Sequence, residues 1–181
     1  MRKLEKVVSA LVGDFSELPI YEQDLLKLAA KVRLNAQAPY SNYLVGVAIL
    51  SDKGTTHMGC NVERASWTQT THAEQNAVDN MVANLGPSKI KIVALIGGSA
   101  NAEVVVPPKK VGKLITKIKD VPVPCGHCLQ IIWENCFQDP DVKIIALASN
   151  GEVISTTMGD AFTMRFGPEH LGVDYSKTKR H

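Results

Sequence analysis

The sequence lacks an apolar run long enough to cross a bilayer. Its continuous apolar segments, such as Ile92 to Ile96 and Ile144 to Ala148, are far shorter than the roughly 20 residues that a membrane-spanning helix needs. A secretory signal is also missing, because the first residues carry Glu5 and Asp14 and no small-residue cleavage site. We therefore expect a cytoplasmic protein that does not associate with membranes.

The sequence also has little net charge and few aromatic residues. The formal net charge is +2 and aromatic residues make up 6% of the chain, so broad electrostatic attraction for nucleic acid is not expected. A local run of lysines lies within residues 109–119, but it contains no aromatic residue that could stack on bases, and we interpret it as a solvated face. There are four cysteines and no secretory signal, which argues against a disulfide framework.

The hydrophobic pattern alternates between helical and strand-like segments. With 181 residues and 45% hydrophobic content, the chain is long enough for one domain with a substantial core. The pattern predicts an α/β fold, a three-layer α-β-α sandwich around a mixed sheet of about five strands. A single domain over 1–181 would include a helical N-terminal extension at about 1–38 and a flexible tail at about 172–181. Helices are predicted over 21–38, 72–84 and 125–137, and strands over 43–50, 55–60, 90–96, 142–148 and 152–156.

Two short motifs carry residues with catalytic chemistry. The stretch THAEQNAV, residues 71–78, places His72 and Glu74 two positions apart, and within a helix such residues point to nearly opposite sides. Downstream, Pro124 precedes the CxxC pair Cys125 and Cys128. A lone CxxC is ambiguous, because redox pairs, structural zinc sites and catalytic zinc sites all use it.

Together, the two motifs match the signature H-x-E followed by P-C-x-x-C, which is typical of zinc deaminases. Two thiolates neutralise Zn²⁺ and a neutral histidine adds a third donor, which leaves the fourth position open for water. We therefore predict one Zn²⁺ per chain, with His72, Cys125 and Cys128 as ligands. Glu74 is then the catalytic residue, a general acid and base that need not touch the metal.

Further segments extend this pattern along the chain. Ser41 to Gly46 reads SNYLVG, Gly59 to Glu63 reads GCNVE, and Phe166 to Leu171 reads FGPEHL. With these segments, the sequence resembles the cytidine deaminase family from about Pro39 to Leu171. The first segment has tyrosine where the family usually has phenylalanine.

The resemblance implies an activity, a substrate and its contacts. It implies hydrolytic deamination of cytidine and deoxycytidine to uridine and deoxyuridine, a reaction of pyrimidine salvage, in a homo-oligomer that is a dimer or a tetramer. The expected partner is a small-molecule nucleoside. The residues that would contact it are Asn61 and Glu63 at the sugar, Tyr43 near the base, the Ala73 N–H and the Val123 carbonyl at the base edge, and Phe166 over a base, often in a neighbouring subunit.

Three departures from the family pattern matter. The position after PCGHC, which is often arginine in the family, is Leu129 here. The shorter tetrameric members usually have a third cysteine where this chain has His72, whereas histidine is typical of longer two-domain dimers. The interval from His72 to Cys125 is 53 positions, about double what the resemblance implies. Residues 99–120 therefore look like an insertion that alters substrate access or subunit packing.

Other functions remain open at this stage. A related deaminase could act on another aminated base, a nucleoside analogue or a polynucleotide cytosine. A non-catalytic module stabilised by zinc would need a fourth protein ligand, and a redox CxxC protein would not need a metal.

Overall fold

The computed structural model, which describes residues 1–102 and 104–177, contains a six-stranded mixed sheet. The sheet order is β1-β6-β5-β4-β2-β3, and the pair β4 and β5 is parallel while all other neighbours are antiparallel. The connection from β4 to β5 therefore crosses over, and it contains the CxxC motif. The strands are β1 (Leu11–Gly13), β2 (Tyr43–Ser51), β3 (Thr56–Cys60), β4 (Ile90–Ser99), β5 (Lys143–Leu147) and β6 (Val153–Thr157).

Helices cover both faces of this sheet. Helix α1 (Ile20–Arg33) packs on one face, α2 (Ala73–Leu85) and α3 (Gly126–Asn135) pack on the other, and α4 (Met158–Ala161) follows β6. Each long helix buries one stripe, and in α2 this stripe comprises Ala73, Ala77, Val78 and Met81. None of the helices in the described ranges is both long and apolar enough to span a membrane.

Alternate residues of the central strands enter two separate cores. In β4, Val93 and Leu95 pack with α2 and α3, whereas the intervening Ala94 packs on the opposite side with α1. This period of two is the expected consequence of strand geometry. The three-layer α/β fold is thus confirmed. The two motifs that contain His72, Glu74 and the CxxC pair lie in the layer formed by α2 and α3.

Several element boundaries differ from the sequence prediction. The sheet has six strands rather than about five, because Leu11–Gly13 pairs with β6. The N-terminal extension is therefore helical mainly over Ile20–Arg33, and α1 ends before the predicted residue 38 because Gln37 forms a bridge with Val62. The tail at about 172–181 falls partly outside the described residues, which end with a 3₁₀ helix, Tyr175–Lys177.

A buried arginine in the last turn of α1 links two neighbouring strands of the sheet. The Arg33 side chain is buried, and its Nε donates to the carbonyl of Leu44 at 3.1 Å. Its Nη2 donates to the carbonyls of Gly98 at 2.9 Å and Ser99 at 2.7 Å. One guanidinium thus links the beginning of β2 to the end of β4.

Replacing Arg33 with methionine should lower the free energy of unfolding by about 2–4 kcal/mol, because three carbonyls lose a charged donor. Urea denaturation followed by circular dichroism measures the loss. The control is Lys27→Met on the exposed face of α1, where the ion pair with Asp24 should contribute less than about 1 kcal/mol. Equal losses in both variants would contradict the proposed linkage.

Candidate active site

The residues of the two motifs meet where two helices begin. His72 is the residue that precedes α2, with φ −73° and ψ 154°, and Cys125 precedes α3 with φ −68° and ψ 167°. The prediction that His72 opens the helix was therefore wrong by one residue, since the helix begins at Ala73. Because His72 is extended, it does not follow the helical spacing that would set it and Glu74 on opposite sides.

A close approach between β3 and α2 sets the position of this helix start. A Cβ atom at Gly59 would lie 2.3 Å from the Ala77 nitrogen and 2.5 Å from the Ala73 carbonyl oxygen. Only glycine therefore allows the first turn of α2 to lie against β3. The same packing fixes His72 and Glu74 relative to the sheet.

The three candidate ligands form a compact triangle. The Nδ1 atom of His72 lies 3.5 Å from the Cys125 sulfur and 3.4 Å from the Cys128 sulfur, and the two sulfurs are 3.6 Å apart. With Zn–S near 2.3 Å and Zn–N near 2.0 Å, a tetrahedral site separates its ligand atoms by about 3.5–3.8 Å. The donor set of one imidazole and two thiols therefore fits zinc, and three protein ligands leave a fourth position open.

The surroundings of Cys128 also favour a bound cation. Burial raises the pKa of the Cys128 thiol well above its ordinary value, and the nearby Glu74 carboxylate and the Cys125 sulfur add to this effect. Two thiolates beside a carboxylate repel one another unless a positive charge lies between them. The beginnings of α2 and α3 supply only partial positive charge from their backbone N–H groups. A divalent ion held by the three ligands would complete the charge balance.

Glu74 and His127 take different positions around this triangle. Glu74 is buried in the first turn of α2, where its carboxylate interacts with the Cys128 thiol and lines a cavity. His127 is exposed, its ring centroid lies 5.2 Å from that of His72, and its Nε2 lies 3.4 Å from the Gln75 Oε1. It is not part of the three-residue ligand group found within the described residues.

The cavity beside the ligands has a volume of about 980 Å³. This volume lies within the range of about 300–1,000 Å³ that is typical of small-molecule sites. Its walls come from the edge of the sheet, the start of α2 and the residues that precede α3. The lining includes the predicted residues Tyr43, Asn61, Glu63, His72, Ala73, Glu74, Val123 and Cys125.

Asn61 and Glu63 occupy one end of the cavity and are tied to the backbone around β2. The Asn61 side chain accepts from the Val45 N–H at 2.8 Å and donates to the Tyr43 carbonyl at 2.9 Å. The Glu63 carboxylate accepts from the Ser41 hydroxyl at 2.5 Å, and this bond is the main cause that lowers the pKa of Glu63. Glu63 is thus a buried, ionised acceptor with a fixed orientation.

The remaining predicted contacts fall into two groups. Tyr43 is half exposed and lies over Gly97 at the cavity, while Ala73 is buried and Val123 is partly exposed in its wall. Phe166 lies outside the lining residues of its own chain and stacks on His170, with centroids 5.2 Å apart. The structure therefore does not bring Phe166 to the site within one chain.

Sequence reasoning missed much of the cavity wall. Residues 113–117, 119 and 120 line it, together with Trp67 and Asn150. Two signals in the sequence pointed to this part of the wall: the insertion at 99–120, which we expected to alter substrate access or subunit packing, and within it the lysine run, which we interpreted as a solvated face. Its role in the wall depends on long-range contacts that no local pattern reveals.

Comparison with known proteins supports these observations. Residues 20–146 match the family model described as the cytidine and deoxycytidylate deaminase zinc-binding region. The chain is 30% identical over 150 residues to a cytidine deaminase of Sporosarcina psychrophila, an alignment that covers 82% of this chain and 93% of that protein. It is 29% identical over 156 residues to a cytidine deaminase of Pasteurella multocida, but it covers only 42% of that longer protein and 85% of itself.

A solved structure agrees with the fold. The crystal structure of a cytidine deaminase from Burkholderia pseudomallei superposes with a TM-score of 0.61 and 26% identity, over 82% of this chain and all of the other. The family match includes α2, the crossover and the CxxC, and so contains all three zinc-compatible ligands. Since the match also covers most of the chain, the protein belongs to the cytidine deaminase family.

Proposed function

We propose that the protein catalyses the zinc-dependent hydrolytic deamination of cytidine and deoxycytidine to uridine and deoxyuridine. One observation carries this proposal: a three-ligand zinc-compatible triangle and the buried Glu74 carboxylate lie at the same cavity. A structural zinc site would use four protein ligands and would give Glu74 no role. A catalytic site needs the open fourth position and a nearby base.

The chain's own residues would divide the chemistry between them. His72, Cys125 and Cys128 would hold the zinc ion, which when bound supplies Lewis acidity that lowers the pKa of a water molecule from about 15.7 towards about 7. Glu74 would accept one proton from the attacking water and deliver it to the ring nitrogen. It would then take the remaining proton of the added hydroxyl group and pass it to the amino group, which leaves as ammonia. Burial of Glu74 beside Cys128 keeps its carboxylate in a fixed place for both transfers.

Substrate binding would use residues that line the cavity. Asn61 and Glu63 would contact the sugar hydroxyls, since each carboxylate or amide oxygen has further lone pairs beyond its protein bonds. Ala73 is the first residue of α2, so its N–H has no partner within the helix and is suited to the base edge. The Val123 carbonyl would read the amino side, and Tyr43 would pack near the base.

The assembly and location are also proposals. We propose a homo-oligomer, dimer or tetramer, in which Phe166 lies over the base in a neighbouring subunit, because Phe166 is 58% exposed and away from its own cavity. A cytoplasmic location is supported by four free cysteines in the described chain, which suit a reducing compartment.

A substrate panel tests the proposed activity. Zinc-loaded protein should release ammonia from cytidine and deoxycytidine, and an ammonia-coupled assay should give a much higher kcat/KM for these than for free cytosine. If the protein instead prefers free cytosine, another aminated base or single-stranded DNA, that compound rather than the nucleoside is its substrate. No ammonia from any of them would favour a non-catalytic zinc-binding module instead.

A further inference from the structure

Lysines of the crossover form part of one wall of the active-site cavity. We call this part the lysine wall, and it consists of five residues that line the cavity: Lys113, Leu114, Ile115, Lys117 and Lys119. Asp120 follows them in the same lining, so the wall keeps a net positive charge. None of the ion pairs in the described part of the chain involves the three lysines. Their charge is therefore available to a ligand.

Hydrogen bonds to the turn between β5 and β6 hold the lysine wall in place. The Ile115 N–H donates to the Glu152 carboxylate at 2.8 Å, and Glu152 is itself buried. The Asn150 side chain donates to the Lys113 carbonyl at 3.0 Å and to the Glu152 carboxylate at 2.7 Å. Because these partners belong to the end of the sheet, the wall has a defined position beside the site.

The lysine wall lies across the cavity from the proposed sugar contacts. Asn61 and Glu63 follow β3, whereas Asn150 follows β5, and β2 and β4 separate these strands in the sheet. A substrate group that reaches the wall must therefore be attached to the base rather than to the sugar.

The proposed function determines which atom of the base faces the wall. In a cytosine nucleoside N1 carries the sugar. The Ala73 N–H would contact the C2 carbonyl, Glu74 would exchange protons with N3, and C4 would face the metal ligands. Of the two ring atoms that remain, C6 adjoins N1 and lies on the sugar side. C5 is thus the ring position from which a substituent would reach the lysine wall.

From this arrangement, we propose that the lysine wall is a subsite for an acidic substituent on the base, and that the protein deaminates cytosine nucleosides that carry a carboxylate at C5. The inference rests on the proposed function, because the orientation of the base comes from it, and it names the substrate class of the same site. The hydrolysis is unchanged: water adds at C4, ammonia leaves, and the carboxylate stays on the ring.

The chemistry of the wall favours an ionised substituent over a neutral one. Ammonium groups bind carboxylates through charge-assisted hydrogen bonds, which are stronger than those between neutral groups. Leu114 and Ile115, which lie between Lys113 and Lys117, offer no polar side chain to a neutral substituent. The cavity of about 980 Å³ is at the upper end of the range for small-molecule sites, so it has room for a group beyond the nucleoside.

Calorimetry on zinc-loaded Glu74→Gln protein tests the subsite without turnover. The ligands are cytidine, 5-carboxycytidine and the corresponding 5-carboxamide, which has the shape of the acid but not its charge. The acid should bind about tenfold more tightly than the amide, because three exposed ammonium groups would each contribute a factor of about two. This ratio should decrease as the salt concentration rises from about 0.05 M to about 0.3 M, since salt screens exposed charges.

A triple variant, Lys113→Gln with Lys117→Gln and Lys119→Gln, locates the carboxylate. In the Glu74→Gln background it should bring the affinities for the acid and the amide to within about a factor of two of each other. The matched control is Lys109→Gln, which comes from the same crossover but lies outside the cavity lining and should leave the ratio unchanged. The active enzyme with an intact wall should release ammonia from 5-carboxycytidine.

The outcomes separate this inference from the proposed function. Equal affinities for the acid and the amide, or a ratio that the triple variant leaves unchanged, would overturn the acidic subsite. Ammonia release from cytidine but not from 5-carboxycytidine would also overturn it and would leave the proposed function intact. No ammonia from any of the three nucleosides would refute the proposed function, and the affinity ratio would then decide separately whether the lysine wall binds the carboxylate.

Discussion

Glu74→Gln should reduce turnover of the deaminated substrate by about 10²–10⁴-fold while leaving the fold and the metal content intact. The substitution preserves size and hydrogen bonding but removes the group that accepts and returns the proton, and positioned acid–base catalysis is worth about this factor. Steady-state ammonia release measures kcat, and metal analysis with circular dichroism verifies that zinc and structure remain.

The control is Glu134→Gln on α3. The Glu134 carboxylate accepts a hydrogen bond from Gln130 and lies outside the lining of the active-site cavity, so this variant removes a negative charge away from the site. This variant should retain nearly full activity. Substantial residual turnover in Glu74→Gln would refute the proton-transfer role, because no other described carboxylate interacts with the Cys128 thiol.

Cys128→Ser should abolish both metal retention and activity. Serine replaces a thiolate by a neutral hydroxyl at the most buried corner of the ligand triangle, so Zn²⁺ loses one of its two neutralising charges. Metal content measured by mass spectrometry should fall from about one ion per chain to near zero, since three ligands leave little redundancy. The melting temperature should fall as well, because metal binding contributes to folding.

Cys136→Ser provides a matched comparison. Cys136 is equally buried but lies at the end of α3 outside the ligand triangle, and burial raises the pKa of its thiol to about 11. It should keep its zinc and its activity, whatever its stability. If Cys128→Ser kept zinc, or if chelators left turnover unchanged, the CxxC would have to serve a redox or other role.

Local pattern was sufficient for most of the central sheet and for the ligand set. The hairpin of β2 and β3 was predicted nearly to its limits, because turn residues lie between its two apolar runs, whereas β4 continues through Gly97 and Gly98 to Ser99, beyond its predicted end at residue 96. Glu74 and the three candidate ligands were predicted from two fixed motifs, so that prediction did not require the fold. The structure adds that these side chains lie close together beside one cavity.

The missed features depend on contacts between distant segments. Leu11–Gly13 has too few residues for a strand pattern and becomes a strand only because β6 offers an edge. His72 lies before α2 rather than within it because its backbone is extended, and the first turn of α2 packs closely on β3 at Gly59. Residues 109–120 carry no periodicity, and their place in the cavity wall is fixed by Asn150 and Glu152 from beyond α3.

The single parallel pair in the sheet has a consequence for the order of folding. Strands β2 and β3 are joined by a short turn, whereas β5 joins β4 through the crossover that includes residues 109–120 and α3. Closing such a connection costs more chain entropy and delays the contacts that it brings. His72 lies before β4 and both cysteines lie after it. We therefore expect the metal site to become complete only after the hairpin of β2 and β3 has formed and the crossover has closed, so that acquisition of zinc reports a late stage of folding.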